Sequence, residues 1–215
     1  MSESFFGNFE FYERRAHAYD VMLGSSAYNS LFWGTNPEDY SAFAARAIGS
    51  GPGPMLEVAV GTARATALLH VASRRETTLV DMNQAMLEIA KKSIREAGGR
   101  RIPENIRFEC RDMLAPQTTQ VYETILGLGL LHLVPDLPSL FSGLGAQLQD
   151  NGSLYLASLI KGSARSNTYL KLLKSHGDIA VIRTASEIYE QAVDARLGTV
   201  TVSHRGAMAY LVISR

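Results

Sequence analysis

The stretch MLEVAVGTARAT, residues 55–66, decides the fold. Its first six residues, MLEVAV, are apolar and lie between GPGP at residues 51–54 and Gly61, so they predict a short, buried parallel strand. Residues 62–73 then place alanine and leucine at helical spacing, and TTLVD at residues 77–81 returns to a strand pattern. A strand, a helix and a second parallel strand in this order form one βαβ unit.

Strands and helices continue to alternate beyond residue 81. Asn83 is placed to cap the next helix, which ends at the glycine pair of residues 98–99. The remaining pattern predicts strands at residues 105–110, 122–128 and 153–160, helices at about 136–149, 167–176 and 186–195, and a final hairpin of TVTVS and AMAYLVIS. The sequence therefore predicts an α/β fold, a doubly wound and mostly parallel seven-stranded sheet with a C-terminal antiparallel hairpin.

Two helices are predicted before the first strand, at about residues 9–22 and 37–48. The second has Asn36 as its cap and Pro37 at its first position. No repeat or linker separates these helices from the sheet. We therefore expect a single domain, in which residues 1–50 form a helical lid over the carboxyl edge of the sheet and residues 51–215 form the core.

Composition narrows the class of protein and of partner. The chain has 215 residues, 46% of them hydrophobic, which is enough for a sizeable core. Its 21 basic residues balance 21 acidic ones, so broad electrostatic binding to nucleic acid is disfavoured. The single cysteine, Cys110, has apolar neighbours and is expected in the core. The N-terminus lacks a signal-peptide pattern, and no run of about 18 apolar residues could span a bilayer. We expect a soluble, cytoplasmic protein with a small-molecule partner.

The predicted ligand site lies at the carboxyl ends of the strands, where doubly wound sheets bind ligands. Gly61 can adopt a positive φ there and bring backbone N–H groups close to a ligand, but the dinucleotide pattern G-x-G-x-x-G is absent because Ala63 takes the place of its second glycine. Asp81 ends the second strand 20 residues after Gly61, where a carboxylate can accept both hydroxyls of a ribose. A capping or solvated turn aspartate is the alternative. Asp112, which ends the third strand, suits an adenine amino group.

The successive segments LEVAVGTARAT, LVDMNQAMLEIA, IRFECRDM, YETILGLGLLHLVPDL and LQDNGSLYL resemble the motifs of class I S-adenosylmethionine-dependent methyltransferases. The resemblance spans about residues 55–160, and LLHLV is similar to the leucine-histidine motif of the small-molecule branch. Upstream, the segment RRAHAYDVMLGSSAYNSLFWG resembles the region before the core in ubiquinone and menaquinone C-methyltransferases, on the residues Ala16, Tyr19, Asp20 and Trp33. Two departures from the family pattern are Ala63 in place of a common glycine and Glu123 in place of a common aspartate.

The resemblance implies a Rossmann-like methyltransferase fold that binds S-adenosylmethionine and releases S-adenosylhomocysteine. Asp81 would bind the ribose, and Asp112 the adenine amino group. Tyr19 would close the pocket from the N-terminal helix. The other implied cofactor contacts are the backbone of Ala59, Val60, Gly61 and Thr62, Met82 and Met86, the amide of Met113, and Gly127 with Leu128.

Methyl transfer chiefly requires alignment of the acceptor with an activated methyl group, so no dedicated nucleophile is expected. A histidine general base would help with some acceptors, and His132 and His17 are the catalytic candidates. For His132 the alternative is a structural histidine that satisfies a backbone group. His70, His176 and His204 are predicted to be peripheral. Tyr12, Tyr28 and Trp33 are expected to form an aromatic lid and substrate wall. No spacing of His, Cys or carboxylate residues predicts a metal site.

Three other functions remain open on the sequence alone. A methyltransferase-like protein could use the bound cofactor for a non-methylating step such as cyclisation, which product mass would reveal. A nicotinamide-dependent oxidoreductase, which the missing glycines disfavour, would be stabilised by NADH and not by S-adenosylhomocysteine. A non-enzymatic binding subunit would bind no adenosine ligand. The acceptor is open as well, because a phenol, a quinone-like ring, a carboxylate, an amine and a natural-product scaffold all fit the pattern.

Overall fold

The structure, a computed structural model, describes residues 25–115 and 121–215. Its centre is a seven-stranded sheet in the order β3-β2-β1-β4-β5-β7-β6, in which β1 to β5 are parallel and β7 is antiparallel to both β5 and β6. The strands are β1 (Met55–Val58), β2 (Thr77–Asp81), β3 (Ile106–Cys110), β4 (Tyr122–Gly127), β5 (Leu148–Leu159), β6 (Thr199–Arg205) and β7 (Met208–Ser214). The predicted doubly wound sheet with its final hairpin is confirmed.

Helices cover both faces of this sheet. In the described part of the chain they are α1 (Ser26–Tyr28), which runs into a π-helical turn (Asn29–Trp33), α2 (Pro37–Ile48), α3 (Ala67–Ala72), α4 (Gln84–Ala97), α5 (Leu137–Ala146), α6 (Ala164–Ser175) and α7 (Ala185–Asp194). The predicted N-terminal caps are present: the Asn36 side chain accepts from the N–H of Glu38, and the Asn83 side chain accepts from the N–H of Ala85. The helix predicted at residues 9–22 lies outside the described residues.

The sheet packs against helices on both faces, through one hydrophobic cluster on each face. On one face Phe141 and Leu144 of α5 pack with residues of β4 and β5, all of them fully buried. On the other face Phe43 and Ala47 of α2 pack against β1, β4, β5 and β7. Thus α2, which belongs to the predicted lid region, is a packed layer of the domain. None of the described helices is long and apolar enough to cross a bilayer.

The start of one predicted helix and one predicted burial are wrong. The helix expected at residues 62–73 begins only at Ala67, because the chain first makes a tight turn with left-handed φ angles at Gly61 and Ala63. Cys110, expected in the core, is exposed. It is the last residue of β3, and because β3 is an edge strand, only one of its sides is covered by a neighbouring strand.

Candidate active site

The turn after β1 forms the floor of the candidate site. In register, Val58 at the end of β1 lies between Val80 of β2 and Gly127 of β4, so the loops that follow these three strands leave the sheet side by side. The turn is tight because Ala59, Gly61 and Ala63 all adopt left-handed φ angles, of 50°, 55° and 55°. A Cβ added at Gly61 would meet nothing within 4 Å, so the surface of the turn is open at this residue.

Asp81 joins this turn to the end of β2. Its Oδ2 atom accepts a hydrogen bond of 2.8 Å from the Gly61 N–H, and its Oδ1 atom accepts one of 2.9 Å from the Asn83 N–H. Burial raises the pKa of the Asp81 carboxyl above its usual value, and backbone hydrogen bonds from Asn83, Gly61 and Met82 oppose part of that rise. An ionised carboxylate has about four acceptor positions, so these bonds do not use its full capacity to accept hydrogen bonds.

Asp112, after β3, is placed differently. It is exposed, and its Oδ1 atom accepts from the Leu114 N–H at 2.9 Å, which makes it a turn-forming aspartate as well as a ligand candidate. The Met113 side chain is buried in the core beside α5, and its carbonyl accepts from the Gln147 amide at 2.8 Å. These bonds hold the turn rigidly at the edge of the site.

The other predicted cofactor residues surround the same strand ends. Met82 is 39% exposed. Val60 and Met86 are buried, and Thr62 is half-buried. Asp81, Met82 and Asp112 thus lie on the β2–β3 side of the Gly61 turn.

Gly127 and Gly129 shape the opposite side of the site. A Cβ at Gly127 would lie 2.9 Å from methyl carbons of both Leu130 and Leu156, so a larger residue here would require these leucine side chains to shift. Gly129 has a φ of 66°, and the point that its Cβ would occupy is 3.6 Å from the Tyr40 hydroxyl oxygen and 3.9 Å from Cε1 of His132. Tyr40 of α2, which the sequence patterns did not single out, therefore lines the same space as His132.

His132 follows β4 and is 95% buried, with 5% of its surface exposed. Its Nδ1 atom accepts a hydrogen bond of 3.3 Å from the Leu159 N–H and lies 3.2 Å from the Ser158 hydroxyl oxygen. Burial, together with the nearby charge of Arg183, lowers the pKa of His132 to about 4. The imidazole is therefore neutral at physiological pH and is held against β5.

Arg183 fixes the loop that carries His132. Its guanidinium donates to the Leu131 carbonyl at 2.8 Å and to the Pro135 carbonyl at 2.6 Å, on both sides of the histidine. In turn, the His132 carbonyl accepts from the N–H groups of Ala180 and Val181. No local sequence pattern indicated this role of Arg183, because its partners lie about 50 residues earlier in the chain.

The predicted aromatic wall is described only in part. Trp33 is 2% exposed, and its ring lies 5.2 Å from that of Tyr169 in α6, centroid to centroid. The Tyr28 hydroxyl donates to the Tyr169 hydroxyl at 3.0 Å, and the Trp33 carbonyl accepts from the Ala207 N–H at 2.7 Å. These contacts anchor residues 28–33 to α6 and to the β6–β7 turn. Tyr12, Tyr19 and His17 lie outside the described residues, so their roles stay predictions.

His70, predicted to be peripheral to the catalytic histidines, is fully buried. Its Nε2 atom forms a short contact with the carboxylate of Glu57, which is only 2% exposed, and Thr66 donates to the other oxygen of that carboxylate. Glu57 is in β1, two residues before the turn, and His70 is in α3, just after it. The sequence contained one signal for this pair. Glu57 is a charged residue within an apolar strand, and a charged side chain that is buried requires a partner.

Glu123, the second departure from the family pattern, lies at the opposite end of the sheet. Its carboxylate accepts from the Gly53 N–H in a short contact and forms an ion pair of 3.2 Å with Arg75. Arg75 also donates to the Thr124 hydroxyl at 2.9 Å. Glu123 therefore ties the GPGP segment to β4 and has a structural role away from the candidate site.

The comparisons with known proteins agree with this architecture. Residues 55–152 match a family model described as a methyltransferase domain. No curated protein matches the sequence. The chain is similar to the structure of DhpI in complex with SAH (17% identity, TM-score 0.64, 95% of this chain and 93% of that one). It is also similar to magnesium protoporphyrin IX methyltransferase from Synechocystis PCC 6803 with bound SAH (14%, 0.68, 96% of both chains).

A third similar structure is geranyl diphosphate C-methyltransferase from Streptomyces coelicolor A3(2), with 16% identity, a TM-score of 0.62 and coverage of 82% of this chain and 77% of that one. These likenesses establish the fold: the chain has the Rossmann-like fold of S-adenosylmethionine-dependent methyltransferases.

Proposed function

We propose that the protein is an enzyme that transfers a methyl group from S-adenosylmethionine to a small-molecule acceptor. The observation that carries the proposal is the hydrogen bond of 2.8 Å between Asp81 Oδ2 and the Gly61 N–H. It holds a carboxylate with spare acceptor capacity beside an open, left-handed turn at the carboxyl ends of β1 and β2. The methyltransferase-domain match over residues 55–152 supports the same reading.

The residues of the site fit S-adenosylmethionine. Gly61 leaves space over the turn, which the amino-acid part of the ligand would occupy, and the Asp81 carboxylate would accept the ribose hydroxyls. Met82 and Asp112 would bracket the adenine, and the backbone of Gly127 and Leu128 would line the other side. When bound, the cofactor supplies a methyl group that its sulfonium has already activated.

The task left to the protein is to align the acceptor with that methyl group at near-attack distance, about 3 Å. Tyr40, Gly129 and His132 lie together on the β4 side of the site, where an acceptor would approach. We propose that the N-terminal residues, with Tyr12 and Tyr19, complete this site as a lid. The finer resemblance to quinone C-methyltransferases rests mainly on Ala16, Tyr19 and Asp20, which lie outside the described residues, so a carbon acceptor stays a prediction.

Isothermal titration calorimetry with S-adenosylhomocysteine tests the proposal. We expect binding to the wild type and at least a tenfold loss for Asp81→Ala, since a carboxylate that accepts two hydroxyls contributes more than about 1.4 kcal/mol. Asp150→Ala, an exposed aspartate near the start of β5, is the matched control and should bind like the wild type. Wild-type affinity in Asp81→Ala would overturn the assignment of the ribose site.

Two further outcomes separate the proposed function from its alternatives. Stabilisation by NADH without stabilisation by S-adenosylhomocysteine would point to an oxidoreductase. A product that forms in a cofactor-dependent manner without a gain of one methyl mass would point to a non-methylating step such as cyclisation.

A further inference from the structure

We propose that Gln147 is a positioning residue that orients the Asp112 carboxylate towards the adenine amino group of the cofactor, and that it thereby sets the preference of the site for adenine over other purine bases. The inference rests on the proposed function, because it concerns the base selectivity of the same cofactor site. In this role Gln147 acts on Asp112 through the peptide group that joins Met113 to Leu114, and not by touching the ligand.

The Gln147 amide faces two carbonyl oxygens. Gln147 directly follows α5 and is only 3% exposed. Its Nε2 atom donates to the Met113 carbonyl at 2.8 Å and to the Gly143 carbonyl at 3.1 Å. Since a carbonyl oxygen can only accept, the NH₂ end of the amide must point at these two atoms, which fixes the orientation of the side chain. The Met113 carbonyl is therefore held against the end of α5 by a buried donor.

The Met113 carbonyl and the Leu114 N–H belong to one peptide group. A trans peptide group is planar and its C=O and N–H bonds point in opposite directions, so a donor that fixes the carbonyl also fixes the N–H. The Leu114 N–H donates to Asp112 Oδ1 at 2.9 Å. Two hydrogen bonds therefore connect the buried Gln147 amide to the exposed Asp112 carboxylate, and each bond polarises the shared peptide group so that the other is strengthened.

The backbone around this peptide group is anchored as well. A Cβ at Gly143 would lie 2.9 Å from a methyl carbon of Leu114, so Leu114 packs directly on α5 where residue 143 has no side chain. The carbonyl of Asp112 accepts from Nη1 of Arg111 and from the Ala115 N–H, each at 3.2 Å. The Asp112 side chain is exposed and could still turn. The hydrogen bond from the Leu114 N–H selects one orientation of its carboxylate.

This orientation leaves one carboxylate oxygen of Asp112 for a ligand. Oδ1 is bonded to Leu114, and within the described residues no donor is bonded to Oδ2. Adenine carries an amino donor at its 6-position, whereas hypoxanthine carries a carbonyl oxygen there. A fixed Oδ2 would accept from the amino group and would repel the carbonyl oxygen. A carboxylate that is free to turn could instead reach the N1–H of hypoxanthine, so it would distinguish the two bases less well.

The other end of the Gln147 amide argues against a role in packing alone. Its Oε1 atom is buried, and among the described residues no donor is bonded to it. A buried acceptor without a partner destabilises a fold, and an apolar side chain of the same length would avoid that loss. What Gln147 contributes is therefore carried by its N–H groups, one of which holds the turn that bears Asp112.

Calorimetry with S-adenosylhomocysteine and with its deaminated analogue, S-inosylhomocysteine, measures the selectivity. We expect the wild type to prefer the adenine ligand by about tenfold or more, the factor that one hydrogen bond to a charged acceptor supplies. Gln147→Met keeps the length of the side chain and removes the amide. It should reduce the preference to about threefold or less, chiefly by weakening the binding of the adenine ligand.

Gln191→Met is the matched control. The Nε2 atom of Gln191 donates to the Glu187 carbonyl of its own helix at 3.2 Å, which is the same kind of bond as that from Gln147 to Gly143. Gln191 is in α7, so its amide has no part in the turn at Asp112. This variant should keep the wild-type preference. A loss of preference equal to that of Gln147→Met would contradict the assigned role.

A double-variant comparison tests whether Gln147 acts through Asp112. In an Asp112→Ala background, Gln147→Met should have no further effect on the preference between the two ligands. A merely structural role would lower both affinities by the same factor or add its loss to that of Asp112→Ala, and either result would overturn the proposal. If Gln147→Met does not fold, Gln147→Asn, whose amide is one methylene shorter and should not reach Met113, is measured in its place against the same outcomes.

The same titrations separate this proposal from the proposed function. A wild type that binds S-adenosylhomocysteine with no preference over the inosine analogue would overturn the role of Gln147 and leave the proposed function standing. A wild type that binds neither ligand would overturn both.

Discussion

The carboxylate of Asp81 and the backbone N–H of Gly61 are joined by a hydrogen bond of 2.8 Å that ties the end of β2 to the turn after β1. The raised pKa of Asp81 means that this carboxyl takes up a proton at a higher pH than an ordinary aspartate does. Protonation removes charge and acceptor capacity from the position that would hold a ribose. The relationship therefore couples pH to ligand binding.

We expect the affinity for S-adenosylhomocysteine to fall as the pH is lowered from about 7 towards 4.5, the range above the usual aspartate pKa of about 3.9. Calorimetry across this range checks it, with Asp81→Asn as a control whose weaker binding should be nearly independent of pH. In the free protein the sign is opposite. A raised folded-state pKa stabilises the fold at low pH, so the unfolding free energy of the wild type should rise relative to that of Asp81→Asn on acidification.

Ala59 carries a left-handed φ of 50°, which costs an alanine about 1–2 kcal/mol. Glycine relieves this strain but loses about 0.5–1 kcal/mol through chain entropy, so Ala59→Gly should leave the unfolding free energy unchanged or raise it by up to about 1.5 kcal/mol. Ala42→Gly, in the exposed middle of α2, should lower it by about 1 kcal/mol. Urea denaturation measures both variants, and equal losses would contradict the strain argument.

The pKa of His132, lowered from 6.5 to about 4, predicts a loss of stability in mild acid. As the pH falls from about 6.5 to 4, His132 becomes protonated in the unfolded chain but stays neutral in the folded protein. The unfolding free energy should therefore fall by on the order of 3 kcal/mol. His132→Gln should lack this component. Denaturation of the wild type and of His132→Gln at a series of pH values measures this component as the difference between their unfolding free energies. If the two unfolding free energies change with pH in parallel, the neutral, buried state of the imidazole is contradicted.

Glu57 and His70 form a buried pair beside the turn after β1, and the Glu57 carboxylate depends on His70 as its main partner. His70→Leu should lower the unfolding free energy by about 3–5 kcal/mol because it leaves a buried carboxylate without its main partner. The double variant Glu57→Leu, His70→Leu should recover most of that loss. Lys91→Ala, which breaks an exposed pair with Glu88, should cost less than about 1 kcal/mol. No recovery in the double variant would contradict a pairwise role.

Deletion of residues 1–20 tests the lid. The anchor formed by Tyr28, Trp33 and Tyr169 lies beyond this deletion, so we expect a folded core that still binds S-adenosylhomocysteine. Methyl transfer should be abolished, because water would enter and the acceptor would lose alignment. Circular dichroism measures whether the truncated chain folds, and calorimetry compares its binding of S-adenosylhomocysteine with that of the full chain. An aggregated product would instead show that these residues are ordinary core packing.

Patterns within a few residues determined most of the fold. The apolar run of β1, the caps at Asn36 and Asn83, and the alternation of strands with helices each depend on a local period or on one side chain and its own backbone. These interactions span few residues, so they can be recognised before any tertiary contact is known. The position of Asp81 at a strand end, 20 residues after Gly61, likewise followed from chain order alone.

Tertiary structure alone decided what surrounds each side chain. Cys110 is exposed although burial was predicted, and the burial of His70 was not anticipated, because burial depends on which strand becomes an edge and which helix covers it. The state of His132 depends on Leu159, 27 residues later, and on Arg183, 51 residues later in the chain. A pKa or a tautomer is set by desolvation and by partners in space, and sequence separation carries no information about either. The sequence alone therefore predicted a ligand site at the ends of the strands, and the packing of β4, β5 and α2 determined the surroundings of the side chains there.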